Sequence, residues 1–199
     1  MAKPGQVTSI RKSLKVSEPA PEWSIREWTD GKAHTLAALR GRVVVIDFWS
    51  IGCTPCRKIT LPVMNRLHPR FANKDVSFVN IHSAGVEMHV VKELLALQHW
   101  DFLVGLAQGD SETESTTNQR YGVRGFPTVV IVDRQGRVAF HSGDDDKERI
   151  MAAMKATAEE IGLPWPVERD ATQEEAIQRL QRLHEHWMTK EIEKALAKE

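Results

Sequence analysis

Only two cysteines occur in the 199 residues, and they stand three apart in Ser50-Ile51-Gly52-Cys53-Thr54-Pro55-Cys56. At that spacing two thiols in a first helical turn are close enough to close a small disulfide ring, so the pair can work as a reversible two-electron switch. Ahead of it runs Val43-Val44-Val45-Ile46-Asp47-Phe48-Trp49, whose β-branched residues read as a buried strand. A short turn follows, and the next segment is helical. Cys53 therefore falls at the N-terminus of a helix, where unpaired N–H groups and the helix dipole favour an anion and bring a thiol pKa from about 8.5 toward ~3.5–7.5. Cys53 is the candidate nucleophile and Cys56, lying deeper, the candidate resolving thiol of an exchange through a mixed disulfide. A bare CxxC also leaves zinc binding open.

Asp47 interrupts an otherwise apolar strand six residues before Cys53. A carboxylate there is costly unless it has a use, and burial raises its pKa into the range of a general base. It is the candidate proton acceptor for Cys56. The alternative is an aspartate turned to solvent at the strand's end.

The segment around Cys53 and Cys56 resembles the active site of the thioredoxin superfamily. A second block, Tyr121-Gly122-Val123-Arg124-Gly125-Phe126-Pro127-Thr128, is similar to the loop that sets a cis-proline beside the cysteine pair. X-Pro bonds are where cis peptides occur, and a cis Pro127 would free the Phe126 backbone to pair with an extended substrate segment. An ordinary trans proline at a strand start is the alternative. The resemblance implies substrate contacts by Trp49, Gly52, Thr54, Pro55, Phe126 and Pro127, with Trp49 and Phe126 either an apolar rim or core. It also implies the base role for Asp47.

The elements around these residues resemble those of the TlpA/ResA-like branch of that superfamily. Residues 1–18 are a basic, flexible lead-in without the apolar stretch of a signal peptide. The Asp30-Gly31 signal in Trp28–Lys32 predicts an N-terminal β-hairpin, and Thr35–Gly41 one helical turn capped by glycine. A helix from Cys56 to about Phe71 should kink at Pro62. Strand Val76–Ile81, helix Val86–His99 and strand Phe102–Ala107 follow, which is one helix and one strand more than a minimal thioredoxin needs. A helix over Ser115–Tyr121 leads to the proline loop, strands Thr128–Val132 and Arg137–His141 form a hairpin, and Lys147–Ile161 is a closing helix. The predicted fold is α/β: a central mixed sheet flanked by helices, with an N-terminal hairpin, a central helix–strand insertion and a C-terminal helical extension. The domains are 1–18, 19–163 and 164–199.

In the last of these, Ile177, Leu180, Leu183, Trp187 and Ile192 recur at helical spacing. They predict a helix packed on its own domain, or else a dimer or partner surface. Four positions depart from the TlpA/ResA pattern: Asp47 stands where a neutral residue is usual, Ile59 where a glutamate is, Gly52 where a tryptophan is, and Pro62 one residue late.

Lysine plus arginine and aspartate plus glutamate both total 27, so nothing points to a nucleic-acid or anionic-membrane partner. Two cysteines exclude a disulfide framework and a four-cysteine zinc site. The apolar runs are strand-length, so no transmembrane helix is predicted. His82, His89, His99 and His141 are scattered, none at metal-ligand spacing to the cysteines.

The expected function is reduction of protein disulfides through Cys53 and Cys56, with protein thiol or disulfide substrates and an unidentified electron donor. The redox-active Cys53–Cys56 disulfide is expected to serve in place of a cofactor, with no metal. A thiol-based metallochaperone and a non-catalytic binding module are the rivals. The compartment is extracytoplasmic by resemblance if a leader was removed, cytoplasmic if Met1 is the native start.

Overall fold

The computed structural model describes residues 14–111, 115–143 and 146–198. Strand β1 spans Ile25–Trp28, β2 Val43–Trp49, β3 Val76–His82, β4 Val104–Ala107, β5 Thr128–Val132 and β6 Val138–His141. Helices α1 (Leu61–Phe71), α2 (Met88–Gln98), α3 (Thr116–Arg120), α4 (Lys147–Glu160) and α5 (Gln173–Leu196) surround them. The sheet order is β1-β4-β3-β2-β5-β6. β2, β3 and β4 run parallel, and β1, β5 and β6 pair antiparallel.

β2 lies in the middle of this mixed sheet with all seven residues buried, which is why it reads as an apolar run broken only by Asp47. Successive side chains point to opposite faces. Val43 and Val45 pack with Met64, Leu67, Phe71, Trp187 and Ile192, whereas Val44, Ile46 and Phe48 pack with Trp23, Tyr121 and Val130. By that alternation Asp47 faces the α1 and α5 side.

The predicted N-terminal hairpin is not formed. The Asp30-Gly31 turn is present, but β1 pairs antiparallel with β4, Trp28 opposite Gly105. Gly105 makes room for that approach, since a Cβ there would lie 2.9 Å from the Trp28 ring. The turn leads instead to a 3₁₀ segment, Ala37–Leu39, and Gly41 leaves it at φ 86°, as the glycine cap required. Most of the predicted lead-in, residues 1–13, lies outside the described residues. Its end is attached to the fold: Ser17 N–H donates to Val138 O at 2.7 Å and Val138 N–H to Glu18 O at 2.9 Å.

α5 opens with a reciprocal cap in which Thr172 and Glu175 satisfy each other's backbone N–H groups. Leu183, Trp187, Met188 and Ile192 are buried, and Trp187 meets Phe140 edge-on at 5.2 Å. Burial of each such side chain contributes about 1.5–3 kcal/mol, so the helix completes the core instead of trailing from it. Of the stripe Ile177, Leu180, Leu183, Trp187 and Ile192, the last two pack against the sheet and Leu180 and Leu183 against Ala158 and Val167. Among the described residues no helix is long and apolar enough to cross a membrane.

Candidate active site

The helical run begins at Thr54, which makes Cys53 its N-cap. Cys56 N–H donates to Cys53 Sγ at 3.1 Å, the bond a serine or threonine oxygen ordinarily accepts at a helix start. Arg57 N–H donates to Cys53 O at 3.2 Å, and Cys53 N–H donates to Ser50 O at 3.0 Å. The sulfur of Cys53 therefore sits where backbone donors favour a thiolate. It is joined to Cys56 in a disulfide with the Cα atoms 5.3 Å apart. Cys53 is half-buried and Cys56 fully buried.

The helix predicted from Cys56 to Phe71 is in two parts, because Cys56–Thr60 winds as a π-helical turn before α1. Pro62 explains the change. It has no N–H, and its ring would crowd the carbonyl four residues back, that of Lys58. Widening the turn lets Leu61 N–H reach Cys56 O, while Pro62 falls in the first turn of α1, where proline is tolerated. The kink expected inside the helix becomes a wide turn at its start, a feature frequent at functional sites.

Asp47 is 1% exposed, which rules out the solvent-facing alternative. Neither carboxylate oxygen has a hydrogen-bond partner, and burial pushes the carboxyl well above its ordinary 3.8. It shares its face of β2 with Trp49, which packs with Cys56 and Leu61.

Trp49 corrects the substrate-contact expectation: it is completely buried and meets the His82 ring edge-on at 4.6 Å. It is core. Gly52, Thr54 and Pro55 are exposed around the half-buried Cys53. A Cβ at Gly52 would meet only Ser50 Oγ, at 3.9 Å, so the position accepts a larger side chain. Phe126 packs in the same cluster as Cys53, and its bond to Pro127 is cis. Behind Pro127 lies a cavity of about 260 Å³, lined also by Thr60, Met64, His184, Trp187 and Met188. His184 keeps some exposure as a residue, yet desolvation of its ring against this cavity brings its pKa down to about 4.

His82 was not singled out by the sequence, although it ends an apolar strand beside the redox turn. Ile51 N–H donates to its Nε2 at 2.9 Å, and its Nδ1 lies 2.6 Å from Ser83 O. Those two contacts assign the proton to Nδ1, and they tie the turn before Cys53 to the end of β3. Among the described residues no group of three or more His, Cys, Asp or Glu side chains could hold a metal ion.

A model of the Redoxin family matches residues 15–163 of the chain. The thiol-disulfide oxidoreductase ResA of Bacillus thuringiensis is 26% identical over 73% of this chain and 80% of its own length. The thioredoxin-like protein YneN of Bacillus subtilis is 26% identical over 69% of this chain and 77% of its own. Among solved structures, the thioredoxin domain of a thiol-disulfide oxidoreductase from Bacteroides vulgatus is similar at 25% identity and a TM-score of 0.58, covering 67% of this chain and 92% of that one.

Proposed function

The chain belongs to the Redoxin family as a TlpA/ResA-like, thioredoxin-like oxidoreductase, and from that premise we propose that it reduces protein disulfides with Cys53 as nucleophile, Cys56 as resolving thiol and Asp47 as proton acceptor. In the dithiol form, the Cys53 thiolate attacks one sulfur of a substrate disulfide and expels the other as a thiolate. Cys56 then gives its proton to the Asp47 carboxylate, and the new thiolate attacks Cys53 Sγ. The substrate leaves as a dithiol carrying two electrons, and the protein holds the Cys53–Cys56 disulfide. A dithiol donor, as yet unidentified, returns the pair to its reduced form.

The observation that carries this reading is the buried carboxylate without a partner on the strand face nearest the resolving cysteine. A structural aspartate would have been given hydrogen bonds. The same carboxylate disfavours a second negative charge, on Cys56, in the dithiol form, and a reduced form destabilised in that way makes a reductant rather than an oxidant. Exposed Gly52, Thr54 and Pro55, with Phe126 and Pro127 opposite, form the proposed platform for an extended substrate segment.

The test is a Cys56→Ser protein, in which the mixed disulfide on Cys53 cannot resolve. It should accumulate covalent adducts with protein substrates that a Cys53→Ser protein does not form. A reduction potential near the oxidising end, about −120 mV, would overturn the proposed direction.

A further inference from the structure

α5 lies beyond residue 163, outside the stretch that the Redoxin model matches, yet it reaches the redox turn. Because Pro62 has no N–H, the carbonyl of Lys58 lacks the donor that a regular helix would give it. Gln181 of α5 supplies one: its Nε2 donates to Lys58 O at 2.7 Å. The amide is itself oriented from α1, since Arg66 Nη1 donates to Gln181 Oε1 at 3.3 Å and Arg66 Nε to Glu185 Oε2 at 2.7 Å. One side chain thus ties the C-terminal helix to the middle of the five-residue turn that begins at Cys56.

We propose that Gln181 is a positioning residue for the redox pair: by supplying the N–H that Pro62 lacks, it holds the π-helical turn in the shape that aims Cys56 N–H at Cys53 Sγ. That N–H supports a Cys53 thiolate in the reduced form. Loss of the Gln181 contact lets the turn relax and weakens the support, so the dithiol becomes the less stable state. Lys58 is exposed, and water can satisfy its carbonyl when Gln181 is gone. The consequence therefore falls on the redox equilibrium more than on folding. The inference rests on the reading of Cys53 and Cys56 as the redox centre and adds a control from outside the family's matched region.

The test uses the full chain and two readouts: the dithiol–disulfide equilibrium against glutathione, and the pH profile of Cys53 alkylation. Gln181→Met keeps the length and removes the donor. It should shift the equilibrium toward the disulfide by about fivefold, the ratio given by one typical net hydrogen bond and equal to about 20 mV for a two-electron couple. The alkylation profile should move to higher pH. Gln181→Lys restores a donor and should lie close to wild type. In Pro62→Ala, residue 62 has its own N–H for Lys58 O, so adding Gln181→Met there should change nothing. A wild-type equilibrium in Gln181→Met, or the same shift with and without Pro62, would overturn the proposal. Failure of the wild-type protein to reduce protein disulfides would strike the parent reading alone, because the glutathione equilibrium is measured without a protein substrate.

Discussion

The two ends of the β2–β5 pair bury an aspartate each and treat it in opposite ways. Asp133 follows β5 at the end away from the cysteines, where its Oδ1 accepts Arg137 N–H at 2.8 Å and the β5–β6 turn closes around it. Asp47 lies in β2 near the cysteines with no partner on either oxygen. The indole Nε1 of Trp49, next but one along the strand, also has none. A buried polar group with its hydrogen bonds supports a fold, and one without them costs stability. The hairpin end is therefore built to hold, and the redox end keeps a carboxylate free to exchange a proton.

That contrast can be broken or sharpened by substitution. The largest effect belongs to Cys53→Ser, which should abolish exchange in a single-turnover assay; residual turnover would move the nucleophile elsewhere. Next comes Asp47→Asn, which should leave first attack nearly intact, slow resolution by about 10²–10⁴-fold and raise thermal stability by removing a desolvation cost. Asp133→Ala should do the reverse, losing about 1–3 kcal/mol in denaturant unfolding with exchange unchanged. If Asp133→Ala stabilised the protein and Asp47→Asn weakened it, the two ends would have been read the wrong way round.

A smaller effect separates Asp47 from His184 by pH. Asp47 has its folded pKa raised above 3.8, so its contribution to stability is present below that value and is lost as pH rises through the folded pKa. His184 has its folded pKa lowered from 6.5 to about 4. Its contribution is present above about 6.5 and lost as pH falls toward 4. Unfolding followed across that window should show Asp47→Asn with a steeper fall in stability on acidification than wild type, and His184→Gln with a shallower one.

Much of the site was legible because its signals are local. A polar residue in an apolar strand marked Asp47, and residue types three apart marked the cysteines. The hairpin β5–β6, helix α4 and the apolar stripe of α5 were equally local, set by turn residues and helical spacing. What escaped was non-local or carried by the backbone. β1 pairs with a strand some eighty positions away, Ile25 opposite Ala107, so the nearby Asp30-Gly31 turn misled. The π-helical turn depends on how far a backbone N–H reaches past Pro62, which no side-chain pattern displays. His82 binds the N–H of Ile51, a group every residue but proline carries. Gln181 sits on a face of α5 that reads as solubilising charge.

If Asp47 takes the proton of Cys56, its effect is seen by following resolution alone. Reduced Cys53 attacks a symmetrical chromogenic disulfide, one aryl thiolate leaves and the other stays as a mixed disulfide on Cys53; release of that second thiolate is timed across pH in wild type and in Asp47→Asn. Release should be fast near neutrality in wild type. In the variant, release should be about 10²–10⁴-fold slower and should recover as pH approaches the thiol's own value of about 8.5. Equal rates at every pH would contradict that proton transfer and leave the buried carboxylate without a part in the exchange.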